Sequence, residues 1–239
     1  PVDGEDDTIV LAADDSYGLL PGKVIAFFRH ALEHFEFDWL FKCDDDTYVA
    51  LDRLRTLLEF DVEMVGNETL ADRGSPSGGA GYLLSRRMVE RIVLDGSLTE
   101  WGAEDVIVGE AAIRHGATWE STARLRWSAN PSPRLDNDLI TAHWCSPERM
   151  RAIHSAMTTT PVRRITGSSP SWTDELWFYG DGHFLRLTTG CNGRWEQTAG
   201  DRIALRWFDW DEEMLKLDDE ANGRVARPIR KSTLPVGTE

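Results

Sequence analysis

Short apolar runs alternate with helical periodicity along the first 160 residues of the chain. Thr8 to Ala13 and Phe37 to Cys43 have the pattern of strands, and the apolar residues after Pro21 recur at helical spacing. Ser85 and Ser146 each precede an amphipathic segment and are predicted to be helix N-caps. Strands that alternate with helices predict an α/β layer fold with a mainly parallel sheet.

The pattern changes in the last quarter of the chain. From Ile165 onward apolar residues alternate with period two, and turn signals occur near residues 180–182, 190–193 and 199–201. This pattern predicts a small antiparallel β meander. Pro161 and the stretch Gly167 to Pro170 mark the change, so we expect one domain over residues 1–163 and a β module over 164–239.

The predicted β module holds half of the ten tryptophans of the chain, namely Trp172, Trp177, Trp195, Trp207 and Trp210. Exposed indole rings in such a module could stack on sugars, whereas buried rings would fill a thin core. We favour the core, because large aromatic side chains dominate small cores.

Composition excludes several classes of protein. A formal charge of −15 disfavours nucleic acid as a partner, and no apolar run reaches the length of a membrane-spanning helix. Cys43, Cys145 and Cys191 are too few and too widely spaced to indicate a disulfide framework or a zinc site. The acidic start, Pro1 to Asp7, does not have the pattern of a basic leader. These features predict a soluble protein of a reducing compartment, the cytoplasm.

Three consecutive carboxylates, Asp44, Asp45 and Asp46, follow directly on the predicted strand Phe37 to Cys43. The carboxyl ends of strands are where open α/β sheets place their ligands. Oxygen ligands suit Mg²⁺ or Mn²⁺, and such ions usually share their charge with the phosphates of a substrate. The sequence therefore predicts a divalent metal site at the end of this strand.

Other interpretations of the same acids are open. A charge run is often a solvated face. A calcium loop of the EF-hand type requires Gly and Glu where this chain has Val49 and Arg55. A phosphatase of the haloacid-dehalogenase kind would use Asp44 as the nucleophile but requires a Thr at the position of Tyr48.

Two further segments carry candidate chemistry. Glu104 and Asp105 precede a helical pattern, where acids either cap the helix or remain ionised beside its positive end. An ionised Asp105 could act as a general base. His143 follows an apolar run and is either a structural residue or a metal ligand.

Five segments occur in a fixed order along residues 14 to 155: Asp15-Ser16-Tyr17 with Leu20 and Lys23, Lys42 to Val49, Gly78 to Ser85, Glu104 to Gly109, and Thr141 to His143 with Ser146-Pro147-Glu148 behind it. This set resembles the motifs of the beta-1,3-galactosyltransferase and Fringe-like glycosyltransferases, which use nucleotide sugars on a GT-A fold. The first segment departs from the family pattern, because Leu19 stands where Asn is usual.

The resemblance implies an inverting transfer of a hexose, of the galactose or N-acetylhexosamine type, from a UDP-sugar to a glycan hydroxyl. By this resemblance Asp44, Asp46 and His143 hold Mn²⁺ or Mg²⁺. Asp105 is the expected general base, with Glu104 as the less favoured candidate. The expected donor-binding residues are Lys23, Asp44, Asp45, which faces the donor sugar or ribose, and Gly79 in the glycine-rich loop.

The resemblance also implies a GT-A-type, Rossmann-like sheet flanked by helices for residues 1–163. Family members have a further strand and helix before the first motif, and that strand helps to bind uridine. Members from animals work in the Golgi lumen, which is the alternative to a cytoplasmic location. Two other functions are open: a carbohydrate-binding, inactive transferase-like protein, and a metal-dependent phosphohydrolase.

Overall fold

The structure is a computed structural model. It describes residues 8–14, 16–70, 75–99, 101–127, 138–169, 172–187, 189–198, 202–208, 212–220 and 223–229. Asp15 of the first motif, Trp210 and the turn expected at 199–201 lie outside the described residues.

Five α-helices and two short 3₁₀ segments occur in the described residues. The helices are α1 (Leu20–His34), α2 (Leu51–Leu54), α3 (Arg86–Leu94), α4 (Glu104–Arg114) and α5 (Pro147–Thr158), and the 3₁₀ segments are Tyr17–Leu19 and Arg55–Glu59. The expected N-caps of α3 and α5 are confirmed, because Ser85 accepts a hydrogen bond from the Met88 amide and Ser146 accepts one from the Arg149 amide.

Nine strands precede residue 163 in the described part of the chain. They are β1 (Trp39–Lys42), β2 (Tyr48–Val49), β3 (Met64–Gly66), β4 (Glu68–Leu70), β5 (Ser75–Pro76), β6 (Tyr82–Ser85), β7 (Trp119–Ser121), β8 (Leu125–Arg126) and β9 (Thr141–Ala142). The strand expected at Thr8 to Ala13 is absent, because these residues make no sheet pairing and are mostly exposed.

The four-stranded sheet has the order β1-β6-β3-β7. Strand β6 is antiparallel to both β1 and β3, and β3 is parallel to β7. Three strands therefore run in one direction with one reversed strand among them. The expected α/β architecture is confirmed, but the sheet is mixed. Apolar periodicity could not show this, since it carries no information on strand direction.

The main core lies between this sheet and three helices. Fully buried side chains from α1, α3 and α4, among them Phe28, Met88, Ile92 and Val108, pack against Met64 and Leu84 of the sheet. A smaller core packs α5 against the three-stranded sheet of order β2-β9-β8, around Tyr48, Leu139 and Ile153. Together these cores fix the positions of β1, β8 and β9. The candidate site residues come directly after these strands in the chain.

The last part of the chain forms seven strands: β10 (Arg163–Ser169), β11 (Trp172–Phe178), β12 (His183–Arg186), β13 (Asn192–Gln197), β14 (Arg202–Trp207), β15 (Glu212–Glu220) and β16 (Gly223–Ile229). Consecutive strands pair antiparallel, which confirms the predicted meander. The sheet closes on itself through a parallel pairing of β10 with β16. Closure was not predicted, since it joins strands at opposite ends of the segment.

The tryptophans of this closed sheet contribute to its interior. Trp207 is buried, and Trp172 and Trp195 pack against a core that includes Phe178 and Phe184. The core interpretation therefore holds for these three residues. The division of the chain into two domains between residues 163 and 164 stays a proposal. The first strand of the closed sheet, β10, begins at Arg163, next to that boundary.

Helix α5 contacts the closed sheet through β12 and β13. At this contact the Ser155 hydroxyl donates to the Asp181 carboxylate, and the His183 ring places Nδ1 2.9 Å from the same oxygen. Burial raises the pKa of Asp181, but these hydrogen bonds outweigh it and leave the pKa below its ordinary value. Asp181 therefore serves as a shared acceptor between α5 and the closed sheet.

Candidate functional site

A cleft of about 1010 Å³ opens beside the carboxyl end of β1. Its lining includes the residues that the sequence indicated for catalysis, donor binding or metal binding, namely Lys23, Asp44, Asp45, Asp46, Gly79, Asp105 and His143, and also the less favoured base candidate Glu104. These residues come from α1, the turn after β1, the glycine-rich loop before β6, the start of α4 and the residue after β9. The fold therefore gathers side chains that are up to 120 positions apart in the sequence.

Lys42 occupies a buried position on β1. Side chains alternate between the two faces of this strand, and Lys42 shares the buried face with Leu40. Its ammonium lies 2.8 Å from Asp44 Oδ1 and 3.0 Å from Glu104 Oε2, and it donates to the Gly78 carbonyl at 3.2 Å. Lys42 thus fixes Asp44 relative to the glycine-rich loop and α4.

Lys42 and Glu104 form a buried ion pair. Burial lowers the pKa of Lys42, but the Glu104 and Asp44 carboxylates outweigh it, so the pKa lies above its ordinary value. Burial raises the pKa of Glu104, although Lys42 and the Tyr82 hydroxyl act against it. Tyr82 lies opposite Lys42 in the β1–β6 register and donates to Glu104. The Glu104 carboxylate therefore accepts hydrogen bonds from two side chains of the protein, Lys42 and Tyr82.

Asp105, in contrast to the buried Glu104, is only half-buried. Its Oδ2 accepts a hydrogen bond of 3.0 Å from the Gly78 amide, and its Oδ1 accepts one of 2.9 Å from the Val106 amide in the first turn of α4. Both donors are backbone N–H groups, so they hold the Asp105 carboxylate in one orientation at the start of α4. Both acids line the cleft, but Glu104 is buried and binds Lys42 and Tyr82, so Asp105 is the more exposed of the two.

The register of the three-stranded sheet brings His143 to the acids. Tyr48 of β2 pairs with Ala142 of β9, and the two strands are antiparallel. The residue after Ala142 therefore lies at the same end as the residues before Tyr48. There the Cys145 amide donates to the Asp46 carbonyl at 2.8 Å. This pairing explains why an imidazole nearly a hundred positions downstream meets the acidic turn.

The His143 ring presents its Nε2 to two carboxylates. Nε2 lies 3.1 Å from Asp46 Oδ1 and 3.6 Å from Asp44 Oδ2, and Nδ1 lies 3.0 Å from the Trp127 carbonyl. With the proton on Nδ1 donated to that carbonyl, the Nε2 lone pair points towards the acids. Asp46 Oδ1 is buried and has no hydrogen-bond partner within the described part of the chain. Two acceptor atoms at this distance repel each other unless a proton or a cation lies between them.

Asp44, Asp46 and His143 fit a divalent cation. Each offers one ligand atom, and the three atoms lie within 4.8 Å of one another. One imidazole nitrogen and two carboxylate oxygens form a set that suits Mn²⁺, and also Mg²⁺ when phosphate and water oxygens complete the coordination. The hydrogen bond from Nδ1 to the Trp127 carbonyl is the kind of outer contact that orients a ligating histidine.

Gly79 leaves the space that the His143 ring occupies. A Cβ atom at this position would overlap three atoms of the ring, and the Thr47 hydroxyl holds the Gly79 carbonyl at 2.6 Å. A Cβ at Gly78 would similarly lie 2.8 Å from Glu104 Oε2. The glycine-rich loop therefore permits a close approach of the backbone to the protein's own site residues.

Four residues of this region were not among the site residues predicted from the sequence. Lys42 and Tyr82 bind Glu104, and Trp127 and Trp144 line the cleft beside His143. Lys42 lies in the apolar pattern of a predicted strand, and a lysine in such a position indicates a buried ion pair, because lysine is rarely buried without a partner. Tyr82, Trp127 and Trp144 gave no such signal, since only strand register shows what they contact. Lys23 and Asp45 also line the cleft, Lys23 from α1.

Residues 4–71 match the galactosyltransferase family. The chain is 30% identical to probable beta-1,3-galactosyltransferase 12 of Arabidopsis thaliana, over 43% of this chain and 35% of the relative. It is 39% identical to glycoprotein-N-acetylgalactosamine 3-beta-galactosyltransferase 1 of Xenopus laevis, over 30% of this chain and 22% of the relative. It is also 42% identical to probable beta-1,3-galactosyltransferase 13 of Arabidopsis thaliana, over 22% of this chain and 16% of the relative. The aligned part spans about a third or less of each relative.

These relatives correct one expectation. The predicted cytoplasmic location is wrong, because homologous beta-1,3-galactosyltransferases are Golgi-type enzymes. Three widely spaced cysteines are a weak indication of a compartment. In the described residues, no helix combines the length and apolar character needed to cross a membrane.

Proposed function

We propose that this chain is a beta-1,3-galactosyltransferase and that it transfers galactose from UDP-galactose to a hydroxyl of a glycan, because residues 4–71 match the galactosyltransferase family and the relatives carry that name. The observation that carries this proposal is the convergence of Asp44, Asp46 and His143 in one cleft with Asp105. Such a cleft combines a place for a diphosphate and its cation with a carboxylate that can take a proton.

Asp44, Asp46 and His143 would hold Mn²⁺ or Mg²⁺. When bound, this ion supplies positive charge to the diphosphate of the donor, where negative charge develops as UDP leaves. Lys42 fixes Asp44 at 2.8 Å, and the Trp127 carbonyl fixes the His143 ring at 3.0 Å, so the protein orients two of the three ligands through other contacts. Lys23 and Asp45 are the candidates for contacts with the donor itself.

Asp105 is the proposed general base. The acceptor hydroxyl loses its proton as it attacks the anomeric carbon, and a carboxylate can accept that proton when it lies within hydrogen-bond reach. The two backbone amides that bind Asp105 hold it in one orientation at the start of α4. A base on the attacking side and a leaving group on the opposite side produce inversion at the anomeric carbon, so we propose an inverting reaction.

We also propose a GT-A-type fold for the first part of the chain. Three strands of the first sheet share one direction, and the acids follow the carboxyl end of β1. Ligands of open α/β sheets bind at this end of the strands.

The test measures UDP release from UDP-galactose, with and without glycan acceptors, in the presence of Mn²⁺. We expect Asp105→Asn to lower transfer by at least a hundredfold, as expected for loss of a general base, while Mn²⁺ and UDP still bind. Glu110→Gln is the matched control, because Glu110 is an exposed acid on the same helix outside the cleft. Glycan binding without any turnover would contradict the proposal. So would a covalent phosphate on Asp44.

A further inference from the structure

Two half-exposed tryptophans lie in the cleft next to His143. Trp127 follows β8 and Trp144 follows β9, and their exposed fractions are 50% and 57%. Their rings meet edge to face, with 5.7 Å between centroids and 82° between planes. Aromatic pairs favour this geometry, so each ring restricts the movement of the other. The cleft therefore contains two large apolar surfaces in a fixed relative orientation.

Trp144 has a strained backbone. Its φ of 60° makes it the one non-glycine residue with a positive φ in the described ranges. A left-handed conformation is unfavourable for a bulky L-residue, and such strain persists where the surrounding structure imposes it. Here β9 fixes the chain before Trp144, and the hydrogen bond from Cys145 to Asp46 fixes it afterwards. Strain of this kind concentrates at functional sites.

We propose that Trp144, supported by Trp127, is the acceptor subsite of this cleft and that one face of a pyranose ring of the acceptor glycan stacks on its indole. This inference rests on the proposed function. The C–H groups on one face of a pyranose carry partial positive charge, and the face of an indole ring is negative. The hydroxyl groups around the sugar ring then remain free for polar partners in the cleft.

The position of the pair favours the acceptor over the nucleotide base. The Trp144 ring lies 5.2 Å from the His143 ring, whereas the base of a nucleotide sugar is separated from its diphosphate by the ribose. A series of contacts also connects Trp144 with the proposed base. The His143 ring lies against Gly79, and the neighbouring Gly78 amide binds Asp105. A sugar on Trp144 would therefore share the cleft with the group that takes its proton.

The first experiment compares two reactions of the same variants. We expect Trp144→Ala to raise the KM for a methyl β-galactoside or methyl β-N-acetylglucosaminide acceptor about tenfold, as loss of an aromatic contact predicts. Slow hydrolysis of UDP-galactose without acceptor needs no sugar on Trp144, so its rate should fall much less than the rate of transfer to the acceptor. Trp144→Phe keeps an aromatic face, so it should raise the KM for the acceptor less than Trp144→Ala does. If Trp144→Ala lowered transfer and hydrolysis of UDP-galactose equally, Trp144 would bind the donor and the proposed acceptor subsite would be wrong. Unchanged rates in both reactions would also overturn the subsite.

Two controls separate binding from folding. Phe35→Ala removes an aromatic side chain that is 51% exposed at the far end of α1 and should leave both reactions unchanged. Trp144→Gly removes the ring and the backbone strain together. It should therefore be at least as stable as Trp144→Ala in thermal unfolding and should bind acceptor equally poorly. An active Trp144→Gly would overturn the proposal.

A binding measurement keeps the inference testable if no turnover is found, which would contradict the proposed function but not the subsite. Saturation-transfer NMR with methyl β-galactoside should show transfer to the protons of one ring face. The signal should be lost in Trp144→Ala and kept in Phe35→Ala. Equal signals from the unmodified protein and Trp144→Ala would overturn the subsite, and a signal from uridine alone that depends on Trp144 would identify a base-stacking site instead.

Discussion

The Lys42 ammonium lies 3.0 Å from the Glu104 carboxylate, and the two side chains are only 9% and 3% exposed. This pair connects the end of β1 with the start of α4, which are the elements that carry the acidic turn and Asp105. The proposed metal ligand Asp44 is held by the same ammonium. The geometry of the cleft therefore depends on a buried ion pair that itself need not touch substrate.

Replacing Lys42 should destabilise the protein strongly. Lys42→Met leaves Glu104 buried without its cation, and breaking a buried pair in this way costs roughly 3–5 kcal/mol. Urea unfolding should show this loss. The control is Arg87→Met, whose partner contact to Glu63 is at 3.6 Å and whose side chain is 71% exposed, so its loss should be below about 1 kcal/mol. The double variant Lys42→Met, Glu104→Gln should lose less than the sum of the single losses, and strict additivity would contradict the coupling.

Cys43 should react slowly with alkylating reagents at neutral pH. Burial raises the pKa of this thiol to about 11, and the neighbouring acids add to the rise against the opposing effect of Lys42. The reactive thiolate is therefore scarce at pH 7.5, and its fraction grows about tenfold per pH unit below the pKa. Iodoacetamide labelling of the native protein in EDTA, followed by mass spectrometry of the Cys43 peptide, checks this dependence. A rate that levels off between pH 7.5 and 9.5 would contradict the raised pKa.

Gly79→Ala should weaken Mn²⁺ binding. The added Cβ would overlap the His143 ring, so the ring must move away from Asp46. Displacing an oriented ligand typically lowers metal affinity about 10–100-fold, which titration calorimetry with Mn²⁺ can measure. Gly96→Ala is the matched control, because no atom lies within 4 Å of its added Cβ. Unchanged affinity in Gly79→Ala would show that His143 does not bind the ion.

Mn²⁺ should stabilise the protein against heat. A ligand that binds only the folded state at a concentration of 100 Kd adds about 2.7 kcal/mol. The increase in Tm should disappear on addition of EDTA and should be much smaller in His143→Ala and Asp46→Asn, which each remove one of the three proposed ligand atoms. If Mn²⁺ raised the Tm of these variants as much as that of the unmodified protein, the ion would have to bind elsewhere.

Several local features could be predicted from the sequence because they depend on neighbouring residues. Ser85 and Ser146 cap helices as expected, since a cap acts on amides only three positions away. The period-two pattern after Ile165 correctly predicts consecutive antiparallel strands. In contrast, Thr8 to Ala13 has a strand-like pattern but forms no strand, because a strand also needs a partner that periodicity does not identify.

The sequence by itself determined the chemistry of this protein: the acids at 44–46, the acids at 104 and 105, His143, and the order of segments that resembles a glycosyltransferase family. Only the tertiary structure decided how these groups combine. The pairing of Tyr48 with Ala142 brings His143 to Asp46, and the ion pair with Lys42 holds Glu104 in a buried position whereas Asp105 is only half-buried. The physical reason is that residue types are properties of single positions, whereas strand register and burial arise from contacts between residues far apart in the chain.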